Sequence, residues 1–239
     1  MYRTEFLVKE TKVKIIADTQ AHAQLAMDDI RKARGIIEGW ISGHPEFLTS
    51  LEPLDYSEPM PPIIREMFEA SAVAGVGPMA AVAGVIAESA CRKMRDGGSR
   101  ACLVENGGDV FAMTDRALRI ALYAGDGSPA NSLCVELDKE NTPLSVCSSS
   151  STMGHSLSFG DCDLVTIAAK SAALADSLAT ATCNRIKKES DMESALSFAV
   201  SKGARTALAV KDDKVTIAGD ASILRTHDDA GARRKITRH

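Results

Sequence analysis

The sequence predicts an α+β fold, antiparallel sheets packed with helices, because helices and strands come in blocks rather than in strict alternation. Residues 101–148 hold five short apolar stretches separated by turn residues, Asn106-Gly107-Gly108 and Gly125-Asp126-Gly127-Ser128-Pro129 among them. That spacing favours an antiparallel sheet. Residues 62–94 read as two successive helices instead, each opened by a proline (Pro62 and Pro78) at the position where its missing N–H costs nothing.

The other elements follow in chain order. Residues 2–8 and 12–17 read as strands, with Lys12-Val13-Lys14-Ile15 alternating as a half-buried strand does. Asp18 or Thr19 is placed to cap a helix reaching about Ser42, whose apolar positions include Ala26, Ile30, Ile37 and Ile41. Gly43-His44-Pro45 stops it, and the proline-bearing stretch 48–62 reads as an irregular crossing. Residues 162–169 form a strand, 171–186 and 191–200 helices, and 204–210 with 214–218 a closing hairpin around Asp212-Asp213. One domain over residues 1–225 is expected, with 226–239 a loose basic C-terminal tail.

Composition excludes several classes. Lys+Arg 28 against Asp+Glu 32 leaves a net charge of −4, so no basic face for nucleic acid is expected. The eighteen uncharged residues 70–87 reach the lower limit of a bilayer span. They are mostly alanine and glycine and are broken by Gly75-Val76-Gly77-Pro78, so they read as an interior helix and no membrane partner is expected. Arg3, Glu5, Lys9 and Glu10 interrupt any apolar opening, so no signal peptide is read. Six cysteines lack Cys-x-x-Cys spacing, so a cytoplasmic setting is expected, without disulfides or a zinc site.

Three segments could carry chemistry. Asp176 and Thr180 lie four residues apart, which puts a carboxylate and a hydroxyl on one helical face. A hard divalent cation such as Mg2+ takes such oxygens, though the same spacing suits a solvated face. Asn106, Gly107, Gly108 and Asp109 make either a plain hairpin turn or a backbone that passes close to a ligand. Ser148, Ser149, Ser150, Ser151 and Thr152 run into Gly154 and His155 between apolar strands. Hydroxyls and exposed N–H groups there suit pyrophosphate oxygens. His155 is either a proton-transfer group or a structural histidine. No Gly-x-Ser-x-Gly elbow accompanies them, and residues 75–84 lack the Lys-Ser/Thr of a P-loop.

Taken together, Asn106-Gly107-Gly108-Asp109, the hydroxyl loop ending in Gly154-His155, and Ala175-Asp176-Ser177-Leu178-Ala179-Thr180 resemble the ApbE superfamily, the FAD:protein FMN transferases. The wording of residues 76–84, 105–109 and 154–160 is similar to a soluble, uncharacterised branch of that superfamily. The resemblance covers roughly residues 60–218 and implies an ApbE-like fold. It implies Mg2+ on Asp176 and Thr180, with a backbone carbonyl near residues 77–84 as a third ligand. It also implies FAD along residues 148–155 and the Gly107-Gly108 turn, as substrate or ligand, with AMP leaving as a hydroxyl attacks. The chain departs from the family's Gly-(Gly/Ile)-Ala-Lys-Gly segment, having no lysine over residues 77–84. Three functions are therefore open: a Mg2+-dependent transferase or hydrolase on the pyrophosphate of FAD or a related dinucleotide, a non-catalytic flavin- or nucleotide-binding module, or an assembly role in which helix 79–87 packs a homodimer.

Overall fold

The computed structural model describes residues 1–9, 11–151 and 160–226. The expected tail over 227–239 lies outside the described residues. Strands β1 (Tyr2–Val8) and β2 (Thr11–Ala17) pair antiparallel with Tyr2 opposite Ala17. Helix α1 (Gln20–Gly43) is capped by Thr19, whose Oγ1 accepts from the His22 N–H at 3.3 Å. Asp18 does a different job: its carboxylate accepts from the Arg100 N–H at 2.7 Å. Thr19→Ala should therefore cost about 1 kcal/mol of stability in a urea titration, the ordinary worth of a lost N-cap.

A short helix α2 (Glu46–Thr49) precedes α3 (Pro62–Ala74), which ends on Gly75 at φ 74°, with the Gly75 N–H donating to Ser71 O at 2.8 Å. The expected second helix starts later than its proline. Residues Pro78–Ala81 form a 3-10 turn, and α4 (Val82–Asp96) follows. The path bends by 107° between Pro62–Ala74 and Pro78–Asp96, and among the described residues no single helix is long and apolar enough to cross a membrane. Ala81, Val85, Ile86 and Ala87 are almost wholly buried within this chain. These side chains pack inside one molecule, while Met79, Ala80, Val82 and Ala83 are half-buried.

Next come β3 (Ala101–Asn106), β4 (Asp109–Thr114), β5 (Leu118–Ala121), β6 (Leu133–Leu137), β7 (Leu144–Ser149) and β8 (Leu164–Ala169). Then follow α5 (Ala172–Arg185), α6 (Met192–Ser201), β9 (Thr206–Lys211), β10 (Lys214–Gly219) and β11 (Leu224–Thr226). The main sheet runs β1-β2-β3-β4-β7-β8-β9-β10, antiparallel throughout. Strands β5 and β6 leave it to join β11 in a three-stranded sheet. Glu136 on β6 fastens that second sheet by pairing with Arg119 of β5 at 3.2 Å and Arg225 of β11 at 3.0 Å.

Alternation along the strands decides what each face meets. Val104, Phe111, Ile167 and Ala209 point to the helical layer, where they meet residues such as Ile30, Val85, Leu178 and Leu196. Leu103, Val110, Val146 and Leu208 point the other way and bury Ile120, Val135 and Leu137 of the small sheet. Among the described residues the result is three layers, with the α-helices on one face of the main sheet.

One expectation about cysteine is corrected. Cys162, just before β8, is joined in a disulfide to Cys183 in the last turn of α5, their Cα atoms 6.1 Å apart. That separation lies within disulfide reach, and it arises because α5 runs back along β8, which no spacing in the sequence reveals. Cys91, Cys102, Cys134 and Cys147 are free and buried.

Candidate functional site

Helices α4 and α5 are locked to each other by their N-terminal N–H groups. The Gly84 N–H donates to Asp176 Oδ2 at 2.8 Å, so a carboxylate from α5 sits on the positive end of α4. Reciprocally, the Ala172 N–H donates to Glu88 Oε2 at 2.7 Å, so a carboxylate from α4 caps α5. Arg92 holds the other oxygen of Glu88, its Nε 2.8 Å away. The two helices approach so closely at Gly84 that a Cβ there would lie 2.5 Å from Ala172 O.

The β3–β4 turn lies against this junction. Gly107 (φ 65°) and Gly108 (φ 110°) make the two-residue connection between Asn106 and its partner Asp109, in the left-handed region that glycine enters without strain. Asn106 Nδ2 donates to Ala83 O at 3.2 Å, holding the backbone at the start of α4. Asp109 Oδ1 accepts from the Ser148 N–H at 3.2 Å, tying the turn to β7.

Asp109 and Asp176 are both buried, at 7% and 9% exposed, and among the described residues no lysine or arginine pairs with either. Burial pushes the Asp109 carboxyl up to about 7, opposed by its bonds to Cys147 and to the Ser148 N–H. Burial also pushes the Asp176 carboxyl well above the usual carboxylate range, and the charge of Asp109 adds to the effect against the Gly84 and Ala83 N–H groups. Cys147 stands beside both carboxylates, and its thiol is raised by burial and then by their charges.

Of the predicted site residues, the structure brings together Asn106, Gly107, Gly108, Asp109 and Asp176. Thr180 lies one turn further along α5, half-buried on the same face. The hydroxyl run divides. Ser148 lies between Cys147 and Ser149 on β7, so its hydroxyl belongs to the opposite sheet face, 2.9 Å from Thr166 Oγ1. Ser149 lies on the helical face with a buried Oγ that has no partner among the described residues. Ser150 is buried as well, and the Ser151 N–H donates to Cys162 O at 3.0 Å. Thr152, Gly154 and His155 lie outside the described residues.

Glu105 was not among the expected site residues, and strand alternation sends its side chain, with Leu103 and Val110, to the sheet face away from α4 and α5. It is 3% exposed, its Oε1 is 3.3 Å from Lys14 Nζ, and its Oε2 is buried with no partner among the described residues. Burial pushes it up to about 7 against the pull of Lys14. The signal available was its place in Glu105-Asn106-Gly107-Gly108-Asp109, a carboxylate on a strand whose every residue is buried.

These raised groups fix a sign for pH dependence. The folded protein holds protons on Asp109 and Glu105 that the unfolded chain releases near pH 4, so stability falls as pH rises toward about 7. The metal-free protein should therefore melt at a lower temperature at about pH 8 than at about pH 5, as far as these groups act. A divalent cation taken up at Asp109 should raise the melting temperature more at the higher pH, because it replaces the proton there. Calorimetry with and without a chelator at both pH values measures this. Equal cation effects at the two would sink it.

Comparison with known proteins agrees with the architecture. A family model described as AbpE bacteria matches residues 2–214. A UPF0280 protein from Archaeoglobus fulgidus is 39% identical over 227 residues, covering 92% of this chain and 93% of the relative. A second UPF0280 protein, from Methanocella arvoryzae, is 39% identical over 194 residues, covering 81% and 78%. Among solved structures, the apo flavinyl transferase ApbE of Pseudomonas stutzeri superposes with a TM-score of 0.61 at 16% identity, over 91% of this chain and 95% of that one. The ApbE protein of Thermotoga maritima gives a TM-score of 0.59 at 16% identity, over 90% and 96%. At such identities these structures speak to the fold, which is ApbE-like; the match over residues 2–214 and the relatives near 40% identity place this chain in the AbpE bacteria family, alongside the UPF0280 proteins.

Proposed function

We propose that this protein binds FAD or a related dinucleotide where the β3–β4 turn meets α4 and α5, and acts there on its pyrophosphate as a Mg2+-dependent transferase or hydrolase. One observation carries the reading: Asp109 and Asp176 are both buried, the charge of Asp109 raises the proton affinity of Asp176, and among the described residues no cationic side chain pairs with either. Uncompensated buried carboxylates are costly, and a divalent cation removes that cost. The donors fit Mg2+, being oxygens throughout: two carboxylates, with the Thr180 hydroxyl on the same helical face as Asp176. The Gly107-Gly108 turn adds open backbone, since a Cβ at either glycine would meet nothing within 4 Å.

Bound Mg2+ would supply neutralisation of charge on the pyrophosphate oxygens. The chain's own residues do the rest by placement. Asp109 and Asp176 would hold the cation, and the bond from the Gly84 N–H fixes the Asp176 rotamer. Asn106 keeps the start of α4 against the turn. A hydroxyl, from a target side chain or from water, forms the new P–O bond as the bond to the AMP oxygen breaks. His155 is the candidate to take the attacking proton. Positioning and electrostatics dominate such a step.

A second reading, a non-catalytic flavin- or nucleotide-binding module, is favoured by the absence of lysine over residues 77–84. Incubation with FAD and Mg2+, with and without a hydroxyl-bearing acceptor peptide, separates the two when AMP is followed by chromatography. Released AMP supports the enzyme, and Asp109→Asn should remove most of it. Calorimetric heat of FAD binding without AMP favours the module. No heat with FAD, FMN, ATP or AMP overturns both.

A further inference from the structure

The outer edge of the main sheet has a sequence that complements itself. Strand β1 pairs on one side with β2 and is an end strand of the eight-stranded sheet. It is seven residues long, without proline, and in unbroken register with β2 from Tyr2 to Val8. Such an edge offers a row of backbone donors and acceptors to another strand. Its side chains alternate. Arg3, Glu5 and Leu7 are exposed on one face, and Tyr2, Thr4, Phe6 and Val8 are half-buried on the other, packed toward α1. Met1 and Leu7 are among the exposed large apolar side chains, at 54% and 68%.

The geometry points to a second copy of this chain as the partner of β1, paired antiparallel about a two-fold axis through Thr4. Antiparallel pairing about a residue keeps each face with its own kind, because opposite residues then share parity. Centred on Thr4, Arg3 meets Glu5 of the second copy, and Glu5 meets Arg3. On the other face Tyr2 meets Phe6, and at the ends Met1 meets Leu7. Opposite charges and aromatic residues directly across a strand pair are stabilising, and like charges are not. Shifting the axis to Arg3 or to Glu5 sets two like charges against each other on the axis and leaves the aromatics unmatched. Charge thus selects one register out of three. Glu5 has an intramolecular partner in Lys12 at 3.3 Å, but both groups are about three-fifths exposed, so that pair competes weakly.

Sedimentation of the full chain from about 1 µM to about 500 µM should give a reversible monomer–dimer equilibrium, as expected for a small interface. Arg3→Glu and Glu5→Arg should each weaken the dimer about tenfold, since two attractive pairs become repulsive. The double swap Arg3→Glu/Glu5→Arg should restore it. Mixing the two single variants should give a heterodimer, because one copy then presents only acids and the other only bases. Thr4→Cys should cross-link to itself under mild oxidation, because the two axial residues face each other. A monomer throughout the range, a dimer indifferent to both single swaps, or failure of the swaps to rescue would each overturn the proposal. The charges would then serve to keep a bare edge solitary.

Discussion

Asp176→Asn is expected to remove Mg2+-dependent turnover by about 100-fold or more while leaving the metal-free protein at least as stable as the parent at neutral pH. The two halves of that result come from one side chain with two duties. An amide oxygen can still accept from the Gly84 N–H, so the cap on α4 survives. The charge disappears, and with it both the cost of burying a carboxylate beside Asp109 and the proposed anchor for a cation. Melting curves with a chelator should give an unchanged or higher midpoint, and added Mg2+ should no longer raise it. Asp176→Ala makes the contrast, since it loses the cap too and should melt lower. An asparagine variant that is destabilised and still gains from Mg2+ would show that Asp176 is only a cap.

Gly84→Ala is expected to destabilise the fold by roughly 2–3 kcal/mol, a midpoint drop of about 5–10 °C for a chain of this size. On helix propensity alone alanine would gain about 1 kcal/mol over glycine. The added Cβ, however, falls 2.5 Å from Ala172 O and 3.0 Å from Asp176 Cβ. Backbone cannot step aside as a flexible side chain can, so α4 and α5 must separate. The bond from Gly84 N–H to Asp176 and the bond from Ala172 N–H to Glu88 then lengthen together. Loss of cation binding should accompany the loss of stability. Thermal unfolding measures the first and isothermal titration with Mg2+ the second. A variant as stable as the parent would mean that the close approach is not a constraint.

Local patterns made much of the molecule legible. Helix α5 falls within a residue of its expected ends because Ser171 caps it, its Oγ accepting from the Leu174 N–H at 3.3 Å. The hairpin at Gly107-Gly108 was readable because only turn chemistry separates two strands. Asp176 and Thr180 were singled out correctly as neighbours on a helical face, since that follows from 3.6 residues per turn. The hydroxyl run was less legible. Composition suggested one polar surface, whereas strand alternation sends Ser148 to one side of the sheet and Ser149 to the other. The division of Pro78–Asp96 into a 3-10 turn and a helix, the departure of β5 and β6 to a second sheet, and the strand β11 were not legible either. Each depends on packing partners distant in the chain.

Periodicity, caps and turn residues fix what a short segment becomes, because they act through bonds and clashes within a few residues. They settled the α+β class, the helix that carries Asp176 and the turn that carries Asp109. Which groups share a space is fixed by contacts between segments far apart in the chain. The Gly84 amide reaches a carboxylate 92 residues away, and Cys162 meets Cys183 because a helix doubles back over its strand. The uncompensated charge at the centre of the candidate site exists only where those long closures exclude water, and burial of that kind has no signature in the order of the residues.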